Sequence, residues 1–136
     1  MDLPQKHRIL IVDDDPGIRC LLVAYLRREG FQMLEACNGR QALEEMRAGN
    51  ADLVILDLMM PEVSGMDVLC ERAADTSLRQ IPVIVVSANV RREVTAAVLG
   101  QDIRAVIAKP FDLDALLAIV TTCLEEPPHV PTSVAA

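Results

Sequence analysis

Five short apolar runs recur along the chain, each followed by a segment with helical spacing. They are Ile9-Leu10-Ile11-Val12, Phe31 to Ala36, Leu53-Val54-Ile55-Leu56, Val83-Ile84-Val85-Val86 and Ala105-Val106-Ile107-Ala108. Four aliphatic residues in succession, without alternation, suit a strand covered on both faces, as in a parallel sheet. The second run instead alternates Phe31, Met33 and Glu35 with Gln32, Leu34 and Ala36, which fits a strand near a sheet edge. Between the runs the spacing turns helical. Ile18, Leu21, Leu22, Tyr25 and Leu26 form one stripe, with Asp15 as N-cap, Pro16 in the first turn and Gly30 as the stop. Ala42, Leu43 and Met46 predict a second helix opened by Asn38 and closed near Gly49. Met66, Leu69, Cys70 and Ala73 predict a third beginning near Ser64. Val90, Val94, Ala97 and Val98 predict a fourth, ending before Gly100. The last is Leu113, Leu116, Leu117, Val120 and Leu124, capped by Asp112.

Strand and helix alternating five times predict an α/β fold: a (βα)5 doubly wound, five-stranded parallel sheet with helices on both faces. Right-handed crossovers and one reversal of direction allow the strand order 2-1-3-4-5, flavodoxin-like in topology. One domain over residues 6–125 accounts for all five units. Pro127, Pro128 and Pro131 break the last helix, so residues 126–136 read as a flexible tail or linker remnant.

Composition narrows the function. The 136 residues are 51% hydrophobic yet hold only two Phe, one Tyr and no Trp, so the core rests on Leu, Val, Ile, Ala and Met. Without aromatic platforms and at a formal charge of −7, the domain is not expected to bind nucleic acid directly. No apolar run approaches the roughly 20 residues of a membrane span, and no membrane partner is expected. Cys20, Cys37, Cys70 and Cys123 form no CxxC pair or Cys/His cluster. They read as small, buried, reduced side chains of a cytoplasmic protein.

The chemistry collects just after the apolar runs. The first ends in Asp13-Asp14-Asp15, the third in Asp57, the fourth in Ser87 and the fifth in Lys109-Pro110. In a parallel sheet these positions share one edge, and ligands bind there beside the switch point between the first and third strands. Asp13, Asp14 and Asp57 should therefore converge, with Ser87 and Lys109 beside them. Three carboxylates in one crevice repel one another unless neutralised, and a hard divalent cation with oxygen ligands does this well. One carboxylate then keeps a free oxygen to attack phosphorus, while Ser87, Lys109, backbone amides and the metal share the transferred charge. Asp15 is read as a helix cap. Arg91-Arg92 reads as an exposed helix face and Phe111 as core packing. His7 and His129, in the terminal segments, are not phosphotransfer residues.

Taken in order, Ile9 to Pro16, Asp57-Leu58-Met59-Met60-Pro61-Glu62-Val63-Ser64-Gly65, Ser87-Ala88 and Lys109-Pro110-Phe111 resemble the receiver domain of bacterial two-component response regulators. The resemblance runs from about Arg8 to Glu125. It implies that Asp57 accepts a phosphoryl group from a phosphohistidine, and that Asp14, Asp57 and the Met59 main-chain carbonyl hold Mg²⁺ (or Mn²⁺). Asp13 would act through metal-bound water, Ser87 would hydrogen-bond the phosphoryl group and Lys109 would pair with it. The Lys109–Pro110 bond is often cis in such domains. Implied partners are a sensor histidine kinase or histidine phosphotransfer protein and a downstream protein or output domain. There is also room for a homodimer formed on phosphorylation.

Two departures stand out. The usual aromatic three positions before the lysine is Val106, so the ring that would swing inward is absent. Met59 and Asn89, each two residues past a site residue, border the path of attacking water. Met59 is expected to shield the phosphoryl group and slow its hydrolysis. A competing class is the aspartate-nucleophile Mg²⁺ phosphatase of the haloacid dehalogenase type, whose D-x-D pattern Asp13-Asp14-Asp15 imitates. Pro16 follows that pattern at once, however, and no cap domain would fit. A flavodoxin-type cofactor module lacks its glycine-rich loop here. A receiver kept only as a binding platform would not need all five chemical positions filled.

Overall fold

The computed structural model describes residues 7–88 and 103–125. Five parallel strands, β1 (Arg8–Val12), β2 (Gln32–Ala36), β3 (Leu53–Asp57), β4 (Val83–Ser87) and β5 (Ala105–Ala108), form one sheet in the order β2-β1-β3-β4-β5. The helices are α1 (Pro16–Arg28), α2 (Gly39–Arg47), α3 (Gly65–Ala74), the short α4 (Thr76–Arg79) and α5 (Leu113–Glu125). The expected fold class and strand order hold. The expected helix over Val90 to Val98, Arg91-Arg92, Asn89 and the tail 126–136 lie outside the described residues.

The two-residue period of the strands sorts the core into two layers. Ile9, Ile11 and Ile55 pack with Leu22 and Leu26 of α1 and Leu116 and Val120 of α5. Leu10, Val12 and Leu56 pack with Met46 of α2, Val68 of α3 and Leu78 of α4. β1, β3 and β4 are covered on both faces, which is why their sequences are continuous apolar runs. Each such buried aliphatic side chain contributes about 1.5–3 kcal/mol. β2 lies at the sheet edge as its alternation implied. β5, at the other edge, is only half-buried despite a run like the inner strands'.

Local signals set the helix ends. The Asp15 carboxylate accepts the amides of Gly17 and Ile18 and caps α1, while Pro16 fills the first position. Asn38 accepts the Gln41 amide and opens α2. Ser64 and Asp67 cap α3 reciprocally. Gly30 and Gly49 turn the chain out of α1 and α2 at φ of 101° and 76°, which glycine adopts without penalty. The Tyr25 hydroxyl donates to Asp114 at 2.6 Å, joining α1 to α5, and that bond pushes the phenol up to about 12.

Several expected positions are corrected. Leu21 is 53% exposed, and Val23 is buried in its place. At 100° per residue the α1 face centres on Leu22 and Leu26, and Leu21 sits well round the helix from it. Cys70 is exposed, because Val68, Leu69 and Arg72 form the inner face of α3. The four cysteines are free thiols but not a buried set: Cys20 and Cys70 are exposed, Cys37 is half-buried and only Cys123 is buried. Helix α4 was not anticipated, since four residues are too few for a periodic stripe. Its anchor is Arg72, buried at 1% exposure, whose guanidinium donates to Ile81 O at 2.9 and 3.1 Å and to Arg79 O at 3.1 Å.

Candidate functional site

Register brings the acidic residues together. Val12 lies opposite Leu56, so the residues that follow, Asp13 and Asp57, are neighbours across the switch point between β1 and β3. Alternation then puts Asp13 on the side of Ile9 and Ile11, Asp57 on that of Leu53 and Ile55, and Lys109 on that of Ala105 and Ile107. All three sides belong to the same core layer. Ser87 ends β4, fully buried, on the parity of Val83 and Val85, and its carbonyl accepts the Lys109 amide at 2.9 Å. The Lys109–Pro110 peptide is cis, as the resemblance implied.

Lys109 Nζ lies 3.0 Å from Asp13 Oδ2 and 3.2 Å from Asp57 Oδ2. Asp13 Oδ1 accepts the Asp15 amide at 2.9 Å, and Asp57 Oδ1 accepts the Met59 amide at 3.0 Å. Asp13 and Asp57 are buried, whereas Asp14 is exposed at the lip. Burial pushes the Asp57 carboxyl above its ordinary value and Asp13 adds to this, while the Met59 amide and Lys109 pull the other way without reversing it. For Lys109, burial works to lower the pKa, but the two aspartates outweigh it and the net direction is up. One ammonium therefore meets two carboxylates in a site that resists charge.

Asp13, Asp14 and Asp57 each offer an oxygen, all within 4.8 Å of one another. Mg²⁺ places opposite ligands about 4.2 Å apart, from metal–oxygen distances near 2.1 Å. That spacing is on the scale of one hydrated cation, and the all-oxygen donors suit this hard ion. The loop after Asp57 is held close by Gly65, whose amide donates to Leu58 O at 3.3 Å. A Cβ at Gly65 would collide with the Asp57 carbonyl and come within 2.6 Å of Leu58 Cα. The Met59 side chain is 58% exposed beside the site, and Val106 is half-buried against the Leu10 and Val12 layer. Asp15 spends its carboxylate on capping α1, so the D-x-D arrangement of a phosphatase has no second catalytic aspartate here.

Arg19 escaped the sequence reading. Its Nη1 donates to the Asp13 carbonyl at 2.7 Å and its Nε approaches Glu35 Oε1 at 3.3 Å. The only sequence signal was its place in the first turn of α1, where many arginines simply face water.

The model of the response regulator receiver domain matches residues 9–121. The DNA-binding response regulator MtrA of Mycolicibacterium smegmatis is 38% identical over 117 residues, covering 85% of this chain and 49% of MtrA. The CAI-1 autoinducer sensor kinase/phosphatase CqsS of Vibrio cholerae is 32% identical over 113 residues, 82% of this chain and 16% of CqsS. Among solved structures, the response regulator TrrA of Thermotoga maritima in complex with Mg²⁺-BeF is 36% identical, with a TM-score of 0.74. That match covers 87% of this chain and 98% of TrrA. The chain belongs to the response regulator receiver domain family, the phosphoacceptor modules of two-component signalling. It spans about half the length of MtrA and far less of CqsS. Because MtrA is DNA-binding, the expectation of no nucleic-acid partner gains no support from these relatives. No helix among the described residues is long and apolar enough to cross a membrane.

Proposed function

We propose that Asp57 accepts a phosphoryl group from the phosphohistidine of a sensor histidine kinase or histidine phosphotransfer protein. The carrying observation is the meeting of Lys109 with Asp57 and Asp13, side chains 52 and 96 residues distant from it in sequence. An Asp57 oxygen forms the new O–P bond as the donor's N–P bond breaks and the imidazole departs with a proton. Lys109 follows the charge onto the transferred group, and the Ser87 hydroxyl donates to a phosphoryl oxygen. Mg²⁺ or Mn²⁺, held by Asp14, Asp57 and the Met59 carbonyl with Asp13 through water, would neutralise the gathered negative charge. The neighbour TrrA, crystallised in complex with Mg²⁺-BeF, supports a divalent cation in this reading.

In this reading residues 6–125 are the receiver and 126–136 a tail or linker. The phosphorylated state controls a downstream protein or output domain, with homodimerisation as one route, in the cytoplasm. Val106 leaves that conformational change without an aromatic ring to move, and Met59 and Asn89 set the lifetime of the phosphoryl group. Incubation with acetyl phosphate and Mg²⁺, followed by intact mass, tests the proposal. One phosphoryl adduct is expected, prevented by EDTA and absent from Asp57→Asn. Sustained turnover of phosphate esters would overturn it in favour of a phosphatase.

A further inference from the structure

We propose that Arg19 is a positioning residue that aims the Asp14 carboxylate at the cation, an inference that rests on the metal-dependent phosphoacceptor reading above. Among the described residues nothing hydrogen-bonds the Asp14 side chain, although Asp13 and Asp57 each hold two partners. The direction in which Asp14 leaves the backbone therefore depends on the peptide that precedes it. That peptide is tied down at Asp13. The Asp13 amide donates to Ala36 O at 3.2 Å, extending the contact between β1 and β2, and the Asp13 carbonyl accepts Arg19 Nη1 at 2.7 Å. The peptide plane on the C-terminal side of Asp13 is thus set by the guanidinium.

Arg19 is itself held. Its side chain is only 18% exposed, and Nε meets Glu35 of β2 at 3.3 Å. The planar fork spans the edge strand and the β1–α1 loop in one geometry, which a flexible ammonium does not reproduce. A lone arginine beside a cation site would repel the cation, but Glu35 offsets that charge. Removing Arg19 and Glu35 together leaves the net charge unchanged, so any loss of metal affinity then reports position.

The test is calorimetric titration of the whole chain with MgCl₂ alone, comparing the parent with Arg19→Ala/Glu35→Ala, each checked for folding by thermal melting. Loss of an outer partner that orients a metal ligand weakens affinity by about tenfold or more, and that loss is expected here. Acetyl phosphate labelling should also slow at low Mg²⁺ and return to the parent rate at saturating Mg²⁺. Unchanged or tighter Mg²⁺ binding overturns the proposal, as does slow labelling that saturating Mg²⁺ does not rescue. Should the double variant fail to fold, Arg19→Met carries the test. It keeps the apolar stem but donates nothing to Asp13 O, and losing a positive charge would by itself favour the cation, so weaker binding reports position and parental or tighter affinity refutes the role. A parent protein that takes up no Mg²⁺ overturns the phosphoacceptor reading itself, whereas a parent that binds beside a variant that binds equally overturns only the role of Arg19.

Discussion

Replacing Lys109 by methionine keeps the apolar stem and removes the cation that meets both buried aspartates. The ammonium sits 3.0 and 3.2 Å from carboxylates whose side chains are 5% exposed, and its own side chain is 20% exposed. Removing one partner of a buried ion pair costs about 3–5 kcal/mol, and the residual exposure of Lys109 argues for the lower end, about 3 kcal/mol. At the size of this chain that is a fall of roughly 10 °C in Tm. Without Lys109 the Asp57 carboxyl loses a group that pulls its pKa down, so its proton is held still more tightly in the folded state. The penalty therefore grows as pH rises through the raised Asp57 pKa and fades in acid, where the Asp57 carboxyl is protonated. Urea denaturation followed by far-ultraviolet circular dichroism, in EDTA, should show the full loss at pH 7 and under about 1 kcal/mol of it at pH 3. Mg²⁺ should stabilise the variant more than the parent, because it takes over the neutralisation. A loss below about 1 kcal/mol at pH 7, or an equal loss at both pH values, would refute the electrostatic account of the site.

Other substitutions probe the same geometry. Burial raises Asp57 above its ordinary 3.8, so the folded protein binds that proton better than the unfolded chain and loses stability as pH rises from 3.8 through the raised value. Asp57→Asn lacks that slope: in EDTA it should melt higher than the parent at pH 7 and match it below 3.8, and an Asn variant less stable at neutral pH would contradict the burial argument. Gly65→Ala forces a Cβ into the Asp57 carbonyl, and should cost about 3 kcal/mol in urea titration and slow acetyl phosphate labelling. Met59→Asn replaces the exposed thioether beside the site with a group that can orient water. Phosphorylated protein should then lose its label several-fold faster by intact mass, and an unchanged rate would remove Met59 from the shielding role.

Much of this was legible from pattern. The inner strands are continuous apolar runs because both faces are covered, and Asp13, Asp57, Ser87 and Lys109 follow directly from where those runs stop. Parallel register then makes neighbours of residues distant in sequence, so the pit could be anticipated without a coordinate. What pattern hides is one-sided exposure and long side chains. Leu21 and Cys70 look like stripe members until the angle of each helix face is known, and Cys20 has nothing in its spacing to tell core from surface. Arg72 and Arg19 act through backbone carbonyls at places the fold alone determines, Ile81 and Arg79 for one and Asp13 for the other. No local motif marks such a contact.

Asp57, and no other carboxylate of the cluster, is the group expected to react with phosphorus. Borohydride reduction of protein labelled with acetyl phosphate and Mg²⁺ converts an acyl phosphate to the alcohol, and peptide sequencing by mass spectrometry then locates it. Homoserine is expected at position 57, with aspartate intact at 13 and 14. Homoserine at either of those two positions, or a label that survives reduction on a serine, threonine or histidine, would contradict it.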